Sequence, residues 1–400
     1  MLANTKKSLT PKIRFSYFNE PWEEASLGNL TNIFDGTHQT PKYVNKGIPF
    51  YSVEHVTGNQ FDDTKYISEE VFNQEKIKPE KNDILMTRIG DIGSSKLLDW
   101  DVRASFYVSL ALIKTSDNLD SKFLNQYIAT QYFQKELWQR TIHVAFPKKI
   151  NLGEISKCLI KVPKHQEQDK IASFLSKVDN LISTLEKQKA SLEKYKKGMM
   201  QKIFSKEVRF KDDDGNEYPD WKEKKLGDIG KVSMCKRIFK NETLATGDIP
   251  FYKIGTFGKS PDAYISSEKY EEFKQKFSYP RVGDILLSAS GTIGRQVVFD
   301  GKPSYFQDSN IVWLEHDEKN ILNSFLTYIY SSIIWVTDGS TINRLYNRTL
   351  LDKKVLFPTV SEQEKIASFL SSIDIIIDSK EKQIKNTKEW KKGLLQQMFV

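Results

Sequence analysis

The stretch EQEKIASFL, residues Glu362–Leu370, decides the organisation of this chain because an almost identical stretch occurs earlier. The earlier copy reads EQDKIASFL from Glu167 to Leu175, 195 positions upstream (362 − 167). EKQ and KKG follow each copy at the same offset. Each segment runs for about 39 residues without proline, with apolar residues at alternating spacings of three and four. The pattern predicts one long helix in each half of the chain.

The apolar stripe of each segment has a heptad-type spacing, which is typical of a helix that packs lengthwise against another helix. At about 1.5 Å per residue each helix would be roughly 58 Å long, and a lone helix cannot bury such a stripe. Pairing of the two copies is therefore favoured over each helix covering its own domain. The predicted seam consists of Ile171, Leu175, Val178, Ile182, Leu185, Ile366, Leu370, Ile373, Ile377 and Ile384. Lys196 and Lys391 would be cations in that seam, which weaken a coiled coil while fixing its register.

The segments between the helices repeat as well. IRF at Ile13–Phe15 matches VRF at Val208–Phe210, and each is followed by a tryptophan and Leu-Gly. IPFY occurs at 48–51 and 249–252, and Asp-Ile-Leu runs on to Gly-x-Ile-Gly near residues 83–93 and 284–294. The chain is therefore predicted to be a tandem duplication. We divide it into a first module (1–163), a central helix (164–206), a second module (207–358) and a C-terminal helix (359–400).

Each module is predicted to be α+β with a modest mixed sheet. Short β-branched and aromatic runs bounded by Gly, Pro and Asn predict strands at Ile48–Val53, Asp83–Arg88, Tyr107–Lys114, Ile285–Ser288 and Ile311–Leu314. Helical patterns occur at Lys122–Arg140 and Ile321–Trp335. Strands and helices do not alternate regularly, which argues against a βαβ fold.

Composition limits the class of protein. The net charge is +8 with a pI of about 9.0, which permits nucleic-acid binding without proving it. No apolar run approaches a membrane span, and the start has no apolar core like that of a signal peptide. The two cysteines have neither metal-ligand spacing nor a disulfide framework. The cytoplasm is the expected compartment.

Catalytic motifs are missing from the sequence. The five histidines are scattered, and Gly255–Ser260 lacks the first glycine of a phosphate loop. Asp262, Glu272 and Lys274 match a loose nuclease-like pattern, but the first module has no counterpart. We therefore predict no catalytic residues, no metal site and no cofactor in this chain.

Two surfaces in each module are candidates for binding instead. One is the Gly-x-Ile-Gly turn, where the two modules share a frame but differ in the polar residues between the glycines. The other lies at 139–149 and 341–348, where Arg and Lys are interleaved with amide and aromatic side chains that suit phosphates and base edges. In the first module the candidates are Arg88, Asp91, Ser94, Lys96, Arg140, His143, Lys148 and Lys149. In the second module they are Ser290, Thr292, Arg295, Arg344, Tyr346, Asn347 and Arg348.

With its tandem modules, its EQxKIAxFL helices and its Asp-Ile-Leu and Gly-x-Ile-Gly frames, the chain resembles the specificity subunit of Type I restriction–modification systems. The resemblance covers nearly the whole chain. It implies that each module is a target recognition domain for one half of a split double-stranded DNA target. It also implies that the two helices form an antiparallel coiled coil that acts as a spacer.

The resemblance implies the partners too. Two modification subunits, which use S-adenosylmethionine, would dock on the helical regions, and two ATP-using restriction subunits would join them. The specificity subunit would hold no cofactor of its own. Two other hypotheses stay open at this point. The chain could be a self-sufficient DNA methyltransferase or nuclease with a duplicated DNA-binding half, or a structural adaptor for two protein partners.

Overall fold

The structure is a computed structural model that describes residues 10–62, 64–335 and 344–400. The chain forms two compact units. The first consists of residues up to Lys187 together with Lys380–Val400, and the second of Gln188–Ser379. Each unit therefore contains one module, the start of the helix that follows it and the end of the other long helix. None of the helices in the described residues is long and apolar enough to cross a membrane.

The first module is α+β. Its elements are β1 (Glu23–Ser26), α1 (Leu27–Leu30), β2 (Thr31–Asp35), β3 (Ile48–Tyr51), α2 (Val53–Gly58), β4 (Lys65–Ile67), α3 (Glu69–Gln74), β5 (Ile84–Ile89), β6 (Asp91–Leu97), β7 (Ser105–Phe106), β8 (Leu110–Thr115), α4 (Ser121–Ile128), α5 (Gln131–Arg140), α6 (Leu152–Ser156) and β9 (Leu159–Val162). An antiparallel sheet has the order β2-β8-β5-β6, and a mixed sheet has the order β4-β3-β7. β1 pairs with β9, so the start and the end of the module lie side by side.

The second module has the same topology. Its elements are β10 (Lys222–Lys225), β11 (Lys231–Ser233), β12 (Ile249–Tyr252), β13 (Tyr264–Ile265), α8 (Ser267–Lys276), β14 (Ile285–Ser288), β15 (Gln296–Val298), β16 (Tyr305–Phe306), β17 (Ile311–Glu315), α9 (Asn323–Ser332), α10 (Asn347–Leu351) and β18 (Lys354–Phe357). The sheet orders are β11-β17-β14-β15 and β13-β12-β16, and β10 pairs with β18. The two modules are duplicates in fold as well as in sequence.

The predicted strands are present, with shifts of a few residues at their ends. The predicted helix at 122–140 is wrong in one respect, because it is two helices, α4 and α5. The chain leaves the helical conformation at Thr130, whose extended backbone lets its hydroxyl accept a hydrogen bond from the backbone N–H of Phe133. Threonine at this position acts as an N-cap and starts a new helix. The apolar periodicity alone does not reveal that break.

Each module is followed by a long helix, as predicted. These are α7 (His165–Phe204) and α11 (Val360–Gln397). In the first unit they run antiparallel: Asp179 of α7 pairs with Lys391 of α11, whereas Glu186, further along α7, pairs with Lys388, further back along α11. In the second unit, Lys196 of α7 likewise pairs with Asp374 of α11.

The predicted seam residues are buried, except for Ile384, which is half-buried. In the first unit, Ile171, Leu175, Val178 and Ile182 share one hydrophobic cluster with Leu394 and Met398. In the second unit, Ile366, Leu370, Ile373 and Ile377 share another with Ile203. Burial of one stripe from each helix is what the heptad spacing requires.

The repeated Glu-Gln at the start of each helix fastens the helix to its module. The buried carboxylate of Glu167 accepts hydrogen bonds from Arg14 at 2.7 Å and from the indole of Trp22 at 3.4 Å. Glu362 accepts the equivalent bonds from Arg209 and Trp221. These acceptors raise the pKa of both arginines, chiefly through the hydrogen bond to the glutamate. The repeated IRF/VRF and tryptophan motifs are therefore the partners of this glutamate.

The glutamine that follows each of these glutamates forms hydrogen bonds with backbone groups of its module. Gln168 accepts from the backbone N–H of Asp120 and donates to the carbonyls of Asn118 and Pro163. Gln363 makes the corresponding bonds to Leu322, Asn320 and Pro358. Buried polar groups must be paired to be tolerated, and these side chains satisfy backbone groups that neither the helix nor the sheet reaches.

Candidate nucleic-acid interface

The Gly-x-Ile-Gly frame forms the tight turn between β5 and β6 at Gly90 and continues into the first residues of β6. Gly90 and Gly93 have φ of 84° and 91°, a region that favours glycine. The buried hydroxyl of Thr87 accepts a hydrogen bond from the backbone N–H of Ser94 at 3.0 Å, and its own proton faces two acceptors at 3.3 Å, the carbonyl of Ser94 and the carboxylate of Asp91. The hydroxyl therefore takes over backbone groups that the turn leaves unpaired.

The second module builds the equivalent turn between β14 and β15. Gly291 and Gly294 have φ of 66° and 80°. The hydroxyl of Ser288 accepts from the backbone N–H of Arg295 at 2.8 Å and donates to the carbonyl of Thr292. The Thr or Ser in the repeated frame thus has one physical role, which is to hold the turn.

The glycines of the turn are not all open to a ligand. A Cβ on Gly93 would lie 2.7 Å from Leu137 and a Cβ on Gly294 would lie 2.2 Å from Trp335, so both positions are packed against their own module. A Cβ on Gly90 would meet nothing within 4 Å, and one on Gly291 would meet only Ile254 at 3.8 Å. The first glycine of the frame is therefore the one that leaves space at the surface.

The two candidate surfaces of the first module form one surface. The backbone N–H of Gly90 donates to the carbonyl of Lys148 at 2.8 Å, and Ile89 forms a β-bridge with Lys149. The backbone N–H of Ile142 donates to the carbonyl of Lys149 at 2.8 Å, which closes the 142–149 loop at its base. In the sequence the turn and the loop are separate candidates, and hydrogen bonds between their backbones join them.

The second module joins its candidates in the same way. The backbone N–H of Leu345 donates to the carbonyl of Ala289 at 2.7 Å, and Ser290 forms a β-bridge with Arg344. The corresponding bond in the first module runs from Ile150 to Arg88 at 3.0 Å. Residues 341–343 of the second candidate stretch lie outside the described residues.

The candidates of the first module differ in exposure. Asp91, His143, Lys148 and Lys149 are exposed, whereas Ser94, Lys96 and Arg140 are half-buried. Arg140 forms an ion pair with Glu136 at 2.8 Å, and the ammonium of Lys96 lies 5.8 Å from the ring of Trp100. The ring of His143 is tilted by 50° against that of Trp138, with the centroids 4.9 Å apart. The exposed cations Lys148 and Lys149 sit beside the turn.

Arg88 is the candidate whose placement disagrees with the expected DNA contact. Its side chain is 9% exposed and donates to the carbonyls of Val108 and Ile150, with Asp35 at 3.5 Å. Burial lowers the pKa of its guanidinium. Because these partners occupy the donors, Arg88 supports the base of the turn and offers no free fork to a base edge.

The second module shows a similar division. Thr292, Tyr346, Asn347 and Arg348 are exposed, and Ser290, Arg295 and Arg344 are half-buried. Arg295 donates to the carbonyl of Phe257 and Arg344 to that of Ser309. Arg348, almost fully exposed, lies 3.3 Å from Asp352. The exposed candidates therefore lie in the turn and at the start of α10.

The residues that the sequence predicts to bind DNA do not include the apolar residues of the 142–149 loop. Val144 and Phe146 are fully exposed, and Trp138 at the end of α5 is 66% exposed. The signal was present in the sequence, because Val-Ala-Phe-Pro stands between a histidine and two lysines.

A cleft of about 850 Å³ in the first unit is lined mainly by residues of β6, α4 and α7. Its charged lining is balanced: Lys81, Lys96, Lys122, Lys177, Asp99, Asp169, Asp179 and Glu186. A balanced lining does not favour an anionic ligand. The described residues contain no group of three or more His, Cys, Asp or Glu side chains placed to hold a metal ion.

The model of the Type I restriction modification DNA specificity domain matches the chain twice, at residues 19–194 and 218–388. These ranges cover most of the sequence and follow the duplicated modules. The chain belongs to this family. The specificity subunit is the non-catalytic component of a Type I system, so the predictions that this chain performs no catalysis and carries no cofactor follow from the family.

Among its relatives, the chain is 26% identical over 418 aligned positions to a putative Type I restriction enzyme specificity subunit of Methanocaldococcus jannaschii, covering 99% of this chain and 96% of that protein. It is 57% identical over 155 residues to a putative specificity subunit of Haemophilus influenzae, where the match covers 38% of this chain and 40% of that protein.

Solved structures share the fold. The crystal structure of a Type I restriction–modification S subunit from M. genitalium aligns with a TM-score of 0.62 at 17% identity, over 98% of this chain and 99% of that one. A chain from a structure titled for complex assembly and conformational transition of the Type I system aligns with a TM-score of 0.58 at 15% identity.

Proposed function

We propose that this chain reads a bipartite double-stranded DNA target, one half-site per module, for a Type I restriction–modification complex. The observation that carries the proposal is the joined surface of each module. In both modules the turn after the Asp-Ile-Leu strand is bonded to the segment before a short helix, α6 or α10. The backbone frame is the same, but its exposed side chains differ.

The difference between the side chains supports the reading of two different half-sites. Asp91, His143, Lys148 and Lys149 face solvent in the first module, and Thr292, Tyr346, Asn347 and Arg348 face it in the second. Lysine and arginine supply phosphate contacts that position a protein on DNA, while amide, hydroxyl and carboxylate groups distinguish base edges. Because DNA is the proposed target, the cytoplasm is the proposed compartment.

The paired helices present exposed and half-buried apolar residues at matching positions in the two units. In the first unit these residues are Trp390 of α11 and Phe174 and Leu181 of α7. Trp390 is 50% exposed and its ring contacts that of Phe174. Leu181 lies about two turns further along α7 than Phe174. In the second unit the same positions, shifted by 195, are Tyr195, Phe369 and Ile376. Two copies of one set of residues suit two copies of one partner, so we propose that each set binds one modification subunit.

The further parts of the assembly extend this proposal. Two restriction subunits would join the complex through the modification subunits. S-adenosylmethionine would be bound by the modification subunits and ATP by the restriction subunits. The antiparallel helices would set the distance between the half-sites.

Methylome sequencing tests the proposal directly. Cells that express this chain with its modification subunit should methylate adenine in one bipartite motif. Replacing residues 16–150 with the matching module of a relative should change one half of the motif and leave the other intact. Methylation by this chain without the modification subunit, or a change in both halves after the exchange, would contradict the proposal.

A further inference from the structure

The 142–149 loop of the first module presents an apolar tip that its own fold does not cover. Val144 is 96% exposed and Phe146 is fully exposed. The base of the loop is nevertheless fixed, because Ile142 bonds to Lys149 and Gly90 bonds to Lys148 through their backbones. A loop with a fixed base and uncovered apolar side chains at its tip is typical of a surface that becomes buried against a binding partner.

The charge around the tip indicates which kind of molecule covers it. Residues 141–149 contain no acidic residue, and the exposed Lys148 and Lys149 directly follow the apolar segment. His143 precedes it and is oriented by a contact of its Nε2 with the carbonyl of Trp138 at 2.9 Å. Cations that flank an apolar tip match the duplex itself, which has phosphates outside and stacked bases and thymine methyl groups within its grooves.

The offset of 195 that relates Ile150 to Leu345 aligns the tip with a different sequence in the second module. By the offset of 195, Val144 and Phe146 correspond to Gly339 and Thr341, and Asp338 stands where the first module has His143. Those residues of the second module lie outside the described part of the structure, so the comparison rests on sequence alone. This alignment predicts that the tip acts at one half-site, that of the first module.

We propose that the first module inserts Phe146, supported by Val144, into a groove of its DNA half-site, where the pair buries apolar surface of the bases. Lys148 and Lys149 hold the adjacent phosphates and so set the depth of insertion. The inference rests on the proposed function, because it names residues of the same DNA-reading surface. Phe146 thereby becomes a determinant of affinity and of sequence preference in the half-site of the first module.

The test uses the complex of this chain with its modification subunits and its methylome-derived duplex. Phe146→Ala, alone and with Val144→Ala, should weaken specific binding roughly tenfold or more while leaving the dependence of affinity on salt unchanged, since the lysines that face the phosphates remain. Lys148→Gln with Lys149→Gln should instead flatten that dependence, by about one unit of slope for each phosphate that loses its lysine.

Two arms identify the apolar surface that is buried. Exchange of thymine for uracil at each position removes a methyl group, so a loss of affinity marks a methyl group that the protein contacts. Replacement of a base by 2-aminopurine reports unstacking of a base step by increased fluorescence. One of these signals should occur in the half-site of the first module and disappear in Phe146→Ala. Neither signal, or one confined to the other half-site, would overturn the inference.

Controls separate the inference from the function on which it rests. Val282→Ala removes an exposed apolar side chain, 73% exposed, at the opposite end of β14 from the turn, and should leave DNA binding unchanged. If the wild-type complex has no preferred sequence, the proposed function fails. If it has one and Phe146→Ala binds it equally well, only the inference fails. If Phe146→Ala weakens assembly with the modification subunit while the assembled complex binds DNA as before, the tip contacts a protein partner and the inference is overturned.

Discussion

The ammonium nitrogen of Lys391 lies 2.6 Å from a carboxylate oxygen of Asp179 on the opposite long helix. The other oxygen of Asp179 accepts a hydrogen bond from Gln126 of the module at 2.8 Å. In the second unit Lys196, Asp374 and Tyr328 form the equivalent network. Each aspartate therefore links the two helices to each other and to the module beside them.

This network gives Lys196 and Lys391 a different effect on helix pairing from the one that the sequence predicts. The heptad pattern alone predicts that Lys196 and Lys391 weaken the pairing of the helices. Each instead has a counter-ion on the other helix, and such a pair favours one register of the two helices.

Exchanging the charges measures this contribution. Lys391→Asp should lower the free energy of unfolding by about 1–2 kcal/mol, because two carboxylates then face each other in a partly buried position. Adding Asp179→Lys should recover most of the loss. Denaturant unfolding of the four proteins gives the coupling energy of the pair. The pair of Lys388 and Glu186, also 2.6 Å apart but half exposed, is the matched control, with an expected coupling below about 0.5 kcal/mol. Equal couplings would contradict the special role of Asp179.

Loss of the buried glutamate should be costly. Glu167→Gln removes the charge that pairs with Arg14 and replaces one of the two oxygens that accept from Arg14 with an amide nitrogen that can only donate, at a cost of about 3–5 kcal/mol. Calorimetry or denaturant unfolding should show the loss in the first unit, and Glu362→Gln should show it in the second. Lys157→Gln, which breaks the exposed pair with Glu154, is the control and should change stability by less than about 0.5 kcal/mol. A mild effect of Glu167→Gln would mean that the helix is attached chiefly by apolar packing.

The hydroxyl of Thr87 should matter more than its methyl group. Thr87→Val leaves the backbone N–H of Ser94 without its acceptor and should cost about 1–3 kcal/mol. It should also impair methylation through the half-site of the first module, because the turn is part of the proposed DNA surface. Thr87→Ser should keep both stability and half-site reading, since Ser288 has this role in the second module. A Ser variant as impaired as the Val variant would show that shape, and not the hydrogen bond, holds the turn.

The alkylation rates of the two cysteines should measure the burial of one thiol in each unit. Burial raises the pKa of the thiols of Cys158 and Cys235 to about 12, from an ordinary 9.0. Both should therefore resist alkylation at pH 8.5 in the folded protein and react in denaturant. Single-cysteine variants, Cys235→Ala for the first unit and Cys158→Ala for the second, assign each rate to a unit. Fast labelling of the folded chain would contradict the burial.

The same shifts predict the effect of pH on stability. A thiol whose pKa is raised in the folded state stays neutral there, while in the unfolded chain it ionises above about pH 9. Its contribution to stability is therefore full below pH 9 and decreases between about 9 and 12, by up to about 1.4 kcal/mol per pH unit. Replacing both cysteines with alanine should make the decline above pH 9 shallower. An unchanged slope would show that other groups dominate it.

The helices should act as the spacer of the target. Inserting seven residues after Lys187 and seven after Ser379 keeps the heptad in phase and lengthens the pair by about 10.5 Å. The gap between half-sites in the methylated motif should widen by about three base pairs, at about 3.4 Å each. An insertion of four residues at the same points rotates the seam by roughly 40° and should reduce methylation. An unchanged gap with full methylation would show that the helices do not set the spacing.

The duplication, the two long helices and the α+β class of each module could be predicted from the sequence. This was possible because a repeat and a heptad are properties of the local order of residues, and because a stripe such as Ile171, Leu175 and Val178 must be buried. The frame of the candidate surface was also readable, since glycine at a tight turn follows from the backbone alone. The predicted helix at 122–140 failed for a local reason, the N-cap at Thr130, which the apolar pattern hides.

Which of these residues contact each other depends on how the chain packs in three dimensions. Arg88 and Lys149 have similar charges in the sequence, yet one is enclosed by Val108 and Ile150 and the other faces solvent. Glu167 finds Arg14 and Gly90 finds Lys148 across long separations along the chain. The energy of a buried charge or of a bridged loop depends on partners brought close by packing, and distance in space cannot be read from distance in sequence.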